Sequence, residues 1–405
     1  IELIWGSGGE VFVKINMEIE YMNNDILTAF KASDLVDKNI NFLIGSGASA
    51  GYIPTLWIKE DISYEDVLTN EKYQEIENVI YHSYYTDILS KSYCISPVDF
   101  KEKLKFKKTF INYLKFIKNL SSLVDKKSAN QIRRANIFTT NYDLFSEKSS
   151  DLLLKNNTSF IFNDGGRGLH TRHLNISNFH TSTWHQGTND LYKFEIPTIN
   201  LIKMHGSISW NKVNEDTISI RYLDNLPDEL TIETDHYLNI EETIEKVDEL
   251  YFFDGAKSAI ELSREDEDKL QRFRNEYDKL AIVNPTKAKF GETVFQQHYY
   301  QSLRLLSYEL EKPQTILICF GFSFKDEHIR EIIQRSLSNP SLVIYIFCYK
   351  LKDKENIKKI INSKKIVFIS PCDYTDENNI DFKRFISCIF PKKNEYSLRG
   401  LTCNL

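Results

Sequence analysis

Four short clusters of residues hold the groups from which a reactive site could be built. The first, Gly45-Ser46-Gly47-Ala48-Ser49-Ala50-Gly51, directly follows the apolar run 41–44. Glycine there lets the backbone turn sharply and approach a ligand closely. A helix opening after it would offer free N–H groups and a partial positive charge to a pyrophosphate. The same pattern also serves tight strand–helix turns that bind nothing, so this loop alone leaves nucleotide binding open. The second cluster, Phe138-Thr139-Thr140-Asn141-Tyr142-Asp143, crowds polar groups at the end of another apolar run, where ligands bind in open α/β sheets. Capping of a following helix accounts for Asn141 or Asp143 singly, and less well for the whole run. The third, Lys203-Met204-His205-Gly206-Ser207, sets an imidazole at a third such end, with glycine leaving room beside the ring. Imidazole moves protons near neutral pH, although a histidine beside a strand is more often structural. The fourth is Phe320-Gly321-Phe322-Ser323-Phe324-Lys325-Asp326. Ser323 and Asp326 have the spacing of a capping box with Asp in place of Glu, so a helix opened there could cap itself or receive a second phosphate or ribose.

Two further features lie together in one interval. His170, His173, His180 and His185 match neither a helical H-x-x-x-H pair nor a zinc-finger spacing and have no cysteine nearby. A loop or gating role is therefore expected rather than metal binding. Gly165-Gly166-Arg167-Gly168 would make a flap from which Arg167 could reach a phosphate.

The elements that must position these clusters can be read from apolar patterning. Runs rich in β-branched and aromatic residues at 41–44, 136–139, 200–204, 280–284, 315–320, 342–348 and 366–369 read as strands. Most lack polar alternation, which predicts strands covered on both faces, as in a parallel sheet between helices. Helical patterns at 25–36, 294–310, 326–337, 352–361 and 382–390 separate them. The expected fold class is α/β, a Rossmann-like doubly wound parallel sheet with helical insertions and no zinc module. Segment 58–130 reads as a helical insertion whose aromatics are packing residues. Segments 155–198 and 213–278 read as irregular or helical insertions, the latter with acidic and highly charged helices at 240–250 and 261–278. Residues 1–16 precede Met17, which reads as the natural start and makes them a non-native leader to a domain spanning 17–405.

Composition bounds the rest. The chain has 405 residues, 41% hydrophobic and 27% charged, enough to bury a substantial core. Its formal net charge of -6 points to neither a nucleic-acid nor a membrane partner, and the lysine-rich stretches 101–108 and 354–365 read as solvated helix faces. No run approaches the roughly 20 apolar residues of a membrane-spanning helix. Cys94, Cys319, Cys348, Cys372, Cys388 and Cys403 are scattered without a C-x-x-C pair, and Cys319 and Cys348 sit inside apolar runs. That usage fits a reduced, cytoplasmic chain without structural zinc.

In their order along the chain, Gly45-Ser46-Gly47-Ala48-Ser49, Thr140-Asn141-Tyr142-Asp143, Met204-His205-Gly206-Ser207 and Gly321-Phe322-Ser323 resemble the motifs of the sirtuin family. Thr139-Thr140-Asn141-Tyr142-Asp143 is similar to the Thr-x-Asn-Tyr-Asp motif of the divergent bacterial sirtuin-like proteins of anti-phage defence, which degrade NAD when infection is sensed. The resemblance implies that Asn141 holds the ribose or the attacking water and that His205 serves as base through a ribose hydroxyl or that water. It implies that Asp143 fixes ribose hydroxyls or supports the cationic centre. Gly45, Ser46, Gly47, Ser49, Thr140, Gly321 and Ser323 would then bind the phosphates and adjoining ribose. Deacylating sirtuins carry two C-x-x-C pairs that hold structural zinc, and this chain has none.

The expected activity is therefore hydrolysis of the nicotinamide–ribose bond of NAD, with water as acceptor. NAD-dependent deacylation, ADP-ribosyl transfer, and a non-catalytic module that binds NAD or ADP-ribose are the alternatives. Such proteins form homo-oligomers, and some pair with a HerA-type ATPase/helicase. This sequence has no Walker motif, so an ATPase would be a separate subunit and nucleic acid would be met only through it.

Overall fold

The computed structural model describes residues 35–59, 62–128, 131–156, 158–188, 193–214, 217–232, 240–258, 263–286, 293–371 and 379–390, together with the paired strands Glu2–Trp5 and Val11–Lys14. The expected helix at 25–36 falls almost wholly outside them, as do Cys372 and Cys403.

A central sheet is formed by β1 (Asn39–Ile44), β2 (Arg134–Thr139), β3 (Ile161–Asn163), β4 (Thr198–Lys203), β5 (Thr315–Phe320), β6 (Val343–Phe347) and β7 (Ile366–Ile369). All pairs are parallel, in the order β7-β6-β5-β1-β2-β4-β3. Helices cover both faces, which is why the strands read as nearly unbroken apolar runs. Phe42, Ile44, Ile137, Leu201, Ile318 and Phe320 point to one face, against α1 (Phe100–Asp125), α2 (Phe145–Lys155) and α6 (Phe382–Ile389). Leu43, Phe138, Ile202, Leu317 and Cys319 point to the other, against α3 (Thr293–Glu311), α4 (Glu327–Ser336) and α5 (Leu351–Ile360). The protein is thus α/β with an all-parallel central sheet, as the patterning predicts.

Three details differ from the sequence reading. Leu280–Ile282 is a strand but lies outside the parallel sheet; it pairs antiparallel with Gly206–Asn214 in a second sheet that also contains Thr217–Ile220, Arg172–Leu174 and Gly166–Arg167. A short apolar run carries no information about strand direction. The seventh parallel strand is instead β3, too short for periodicity to reveal within segment 155–198. Segment 58–130 is helical and packs through its aromatics, but its last and longest helix, α1, covers the central sheet itself. Among the described residues, no helix is long and apolar enough to cross a membrane.

One buried polar row fixes the sheet. Asn136 Nδ2 donates to Asn41 Oδ1 at 2.8 Å, Asn200 Nδ2 to Asn136 Oδ1 at 2.9 Å, and Asn163 Nδ2 to Asn200 Oδ1 at 2.9 Å. The row crosses β1, β2, β4 and β3 at one level, because Asn41, Asn136, Asn200 and Asn163 are register partners. Slipping a strand by one residue would turn its apolar side chains to the wrong face. A slip by two would preserve the faces yet leave buried amides unpaired, which the asparagines forbid. Asn136→Ala strands the Asn41 acceptor and removes one of two acceptors from Asn200. It is expected to lower the unfolding free energy by about 2–4 kcal/mol in urea titrations. A loss below about 0.5 kcal/mol would show that the row does not set the register.

Candidate functional site

The order of the central sheet reverses at β1. The chain moves outward from β1 to β2 and on to the edge strand β3, comes back to β4 between them, then crosses to β5 on the other side of β1. It leaves β1 toward the α1 face and β5 toward the α4 face, so the connections part to opposite faces and a topological switch point falls at the carboxyl edge between them. Ligands bind at such reversals in open α/β sheets. The loops after β1, β2, β4 and β5 contain all four clusters singled out from the sequence.

The loops after β1 and β5 interlock. Gly45 N–H donates to Phe320 O at 2.9 Å, and Gly47 N–H to Gly321 O at 3.1 Å. A Cβ on Gly45 would come 2.3 Å from Gly321 O, and one on Gly321, whose φ is +65°, 2.8 Å from Ala48 N. The glycines are therefore required by each other. The expected helix after the glycine loop is absent: only the 3-10 turn Ser46–Ala48 follows, and the Ala48 and Ser49 N–H groups close onto Gly45 O and Ser46 O. Ser46, Gly47 and Ser323 remain exposed. Thr140, half-buried, donates its N–H to Ile44 O at 3.4 Å. Ser323 accepts from Lys325 N–H and does not cap α4; Asp326 does, accepting from Ile329 N–H at 3.2 Å. No Ser323–Asp326 capping box forms, because the helix begins three residues later than that spacing requires.

Beneath the glycine loop, Ser49, Asn141 and Asp143 meet Tyr113 from α1. Ser49 Oγ donates to Asp143 Oδ2 at 2.7 Å, so Tyr113 OH, 2.7 Å away, must be the donor to Ser49. Burial raises the Tyr113 phenol well above its ordinary value, as does nearby Asp143, which keeps that proton in place. Phe145 and Phe382 hold the Tyr113 ring at centroid distances of 5.2 Å and 4.9 Å. Asp143 Oδ1 accepts from Phe145 N–H at 3.2 Å, one residue ahead of the N-cap, Leu144, which makes no side-chain cap; the capping role foreseen for Asn141 or Asp143 is therefore not taken up as such. Burial raises the Asp143 carboxyl, and Lys203 pulls it part of the way back. Asn141 Nδ2 donates to Gly45 O at 3.1 Å and to Ser49 Oγ at 3.4 Å. Its Oδ1 is buried and has no hydrogen-bond partner among the described residues. A narrow cavity beside it is lined by Ile44, Tyr113, Thr139, Asn141, Asp143 and Lys203.

His205 lies apart from this cluster, at the joint between β4 and Gly206–Asn214. Gly206 makes the joint possible: its φ is +85°, and a Cβ would meet Ala281 O at 2.1 Å. His205 Nε2 is 3.0 Å from Asp326 Oδ2, and its ring lies 5.9 Å from that of Tyr299. Burial raises the Tyr299 hydroxyl, as does Asp326. Two residues before Asp326, the buried Phe324 has φ 60°, a strained conformation for a bulky residue and one that clusters at functional sites. The structure thus joins Ser49, Asn141 and Asp143 in one group, links His205 to Asp326 in another, and interlocks Gly45, Gly47 and Gly321.

Sequence reasoning missed Tyr113, Glu147 and Tyr299 as site neighbours, and took Asp326 only as the capping-box partner of Ser323. It also passed over Lys203, whose signal was a charge at the end of a buried run. Lys203 Nζ donates to Tyr142 O at 3.2 Å, Asp143 O at 2.6 Å and Ser207 Oγ at 3.0 Å, and pairs with Glu147 Oε1 at 2.7 Å. His170, His173, His180 and His185 are all exposed, as is Arg167. Among the described residues, no three His, Cys, Asp or Glu side chains group as metal ligands. Cys94, Cys319, Cys348 and Cys388 are buried free thiols, and burial pushes Cys348 up to about 12. Comparison of the sequence with protein-family models and with curated proteins returns no match.

Glu147 gives the buried pair a pH signature. Burial lifts its carboxyl from 4.5 to about 7, against the opposing pull of Lys203. A carboxyl raised on folding contributes stability that is full below its unfolded value and is lost as pH rises through the folded one. In Lys203→Met the opposing pull is gone and the carboxyl rises further, so the variant loses more at pH 8 than at pH 5. The expected loss is about 3–5 kcal/mol at pH 8, smaller at pH 5, measured by chemical denaturation at both. Equal losses would show that Glu147 does not respond to Lys203.

Proposed function

We propose that this chain is an NAD glycohydrolase with a Rossmann-like, doubly wound core, cleaving the nicotinamide–ribose bond to release nicotinamide and ADP-ribose. The observation that carries this reading is that all four clusters follow parallel strands at the carboxyl edge, around the sheet reversal, with Asn141 Oδ1 buried and unpartnered beneath the glycine loop. The motif order of sirtuin-like NAD-degrading proteins supports it.

Departure of neutral nicotinamide from a cationic glycoside needs no strong acid, so the residues have to hold the ribose and guide the acceptor. Asn141 is fixed through Nδ2, which leaves Oδ1 to accept from a ribose hydroxyl or the attacking water. Asp143 has both oxygens engaged, so it acts through Ser49 rather than on the ribose. His205 is oriented by Asp326; in the tautomer that donates Nε2–H to the carboxylate, Nδ1 carries the lone pair that takes a proton. Homo-oligomers and control by a separate HerA-type ATPase in anti-phage defence belong to the same reading.

A module that binds NAD or ADP-ribose without turnover is the second reading, favoured by the near-complete burial of Ser49, Asn141 and Asp143. Incubation with NAD separates the two. Nicotinamide release is expected, with Asn141→Ala and His205→Ala reducing it by about 10²–10⁴-fold while the fold is retained. Asp326→Asn keeps a capping side chain on α4 but removes the charge beside His205, so it should slow release without unfolding the helix. Tight NAD binding with no release under any condition supports the binding module, and full activity in both Asn141→Ala and His205→Ala removes the site assignment.

A further inference from the structure

The loops at the sheet reversal are nearly devoid of positive charge. In 45–53, 139–144, 205–207 and 321–326 the one lysine or arginine is Lys325. A diphosphate seated at the sheet reversal would find the N–H groups of Gly45 and Gly47 already donated to Phe320 O and Gly321 O. It would find no α-helix beginning at the glycine loop. Serine hydroxyls carry no charge to set against two negative ones, so a nearby cation has a clear role.

Lys325 is placed for that role. It lies between Ser323, which faces solvent, and Asp326, whose carboxylate holds His205. Its side chain is exposed, and its Nζ rests 4.7 Å from the centroid of Trp57. Trp57 belongs to the segment that leaves the glycine loop, and the residue is 51% exposed. The contact therefore joins the segments that follow β1 and β5. A cation over an exposed ring is weakly held, whereas an ammonium on a phosphate oxygen forms a charge-assisted hydrogen bond.

Resting on the NAD reading above, we propose that Lys325 is the diphosphate-recognising residue of this site, held on Trp57 in the free chain and transferred to the ligand's diphosphate on binding. Lys325 is a positioning residue for the dinucleotide and takes no part in bond cleavage. It makes the site selective for diphosphate-bearing ligands over the corresponding nucleosides.

The test is binding of ADP-ribose, ADP and adenosine to the full chain, followed by calorimetry at two salt concentrations and by tryptophan fluorescence. Lys325→Ala is expected to weaken ADP-ribose and ADP about tenfold or more, to leave adenosine unchanged, and to flatten the salt dependence. Lys325→Arg should restore most of the loss. The fluorescence change on binding ADP-ribose should disappear in Trp57→Phe. Unchanged ADP-ribose affinity and salt dependence in Lys325→Ala would overturn the role of Lys325 and leave the NAD reading standing. Equal weakening of adenosine would also overturn it, since that is the mark of a structural loss. Failure of the unmodified chain to bind ADP-ribose or to consume NAD would overturn both.

Discussion

Lys203 brings an ammonium group into the interior at the end of β4, and the geometry of the site follows from how that group is satisfied. An unpaired charge there would be prohibitive, so its three protons must all find acceptors. They find the carbonyls of Tyr142 and Asp143, the Ser207 hydroxyl and the Glu147 carboxylate. The two carbonyls belong to the loop after β2, Glu147 to the first turns of α2, and Ser207 to the strand beyond His205. One cation therefore ties together three segments adjoining the candidate site. Asn141 and Asp143 point under the glycine loop because the backbone immediately after them is bound to Lys203.

The same strand carries the second constraint. Asn200, three residues before Lys203, lies on the opposite face of β4 and joins the asparagine row. The row sets how far β1, β2 and β4 extend past one another, and hence where each polar loop begins. Beyond it, Ile44, Thr139 and Lys203 end their strands one apolar turn of the pleat away from the site. Thr139 Oγ1 then donates to Ile44 O at 2.8 Å, and Met204 N–H to Thr139 O at the same distance, carrying the alignment past the sheet proper. Register on one face and charge satisfaction on the other thus position the same loops.

Much of this was legible in the sequence, for reasons that differ by residue. The parallel strands were readable because burial on both faces leaves a continuous apolar run, and the four clusters because polar groups gather at the ends of such runs. The register signal was also present. Asn41, Asn136 and Asn200 each stand three residues before a strand end, although no single asparagine announces a row. Tyr113 was not legible, since it meets Ser49 across 64 positions of chain and comes from a helix whose pattern reads only as packing. Nor was the direction of Leu280–Ile282, which depends on Gly206 turning the chain back rather than on anything within the strand. Asp326 reads as the acidic partner of a cap at Ser323 but is itself the N-cap of α4; its second oxygen, on His205, is a tertiary fact.

The glycines show how a correct motif can have a different physical cause from the one its pattern suggests. Gly45, Gly47 and Gly321 were read as making room for phosphates. In the fold they make room for one another, at separations no Cβ could tolerate. Two loops locked backbone to backbone are stiff and move, if at all, as one unit. They form a rigid rim whose N–H groups are largely committed. In the NAD reading proposed above, recognition would then pass to the side chains on that rim, the hydroxyls of Ser46 and Ser323 and the ammonium of Lys325, because these can still reorient. A site framed this way would separate its tasks: interlocked glycines hold the edge, buried Lys203 and Tyr113 hold the floor, and, on the proposed reading, the exposed side chains between them choose what binds.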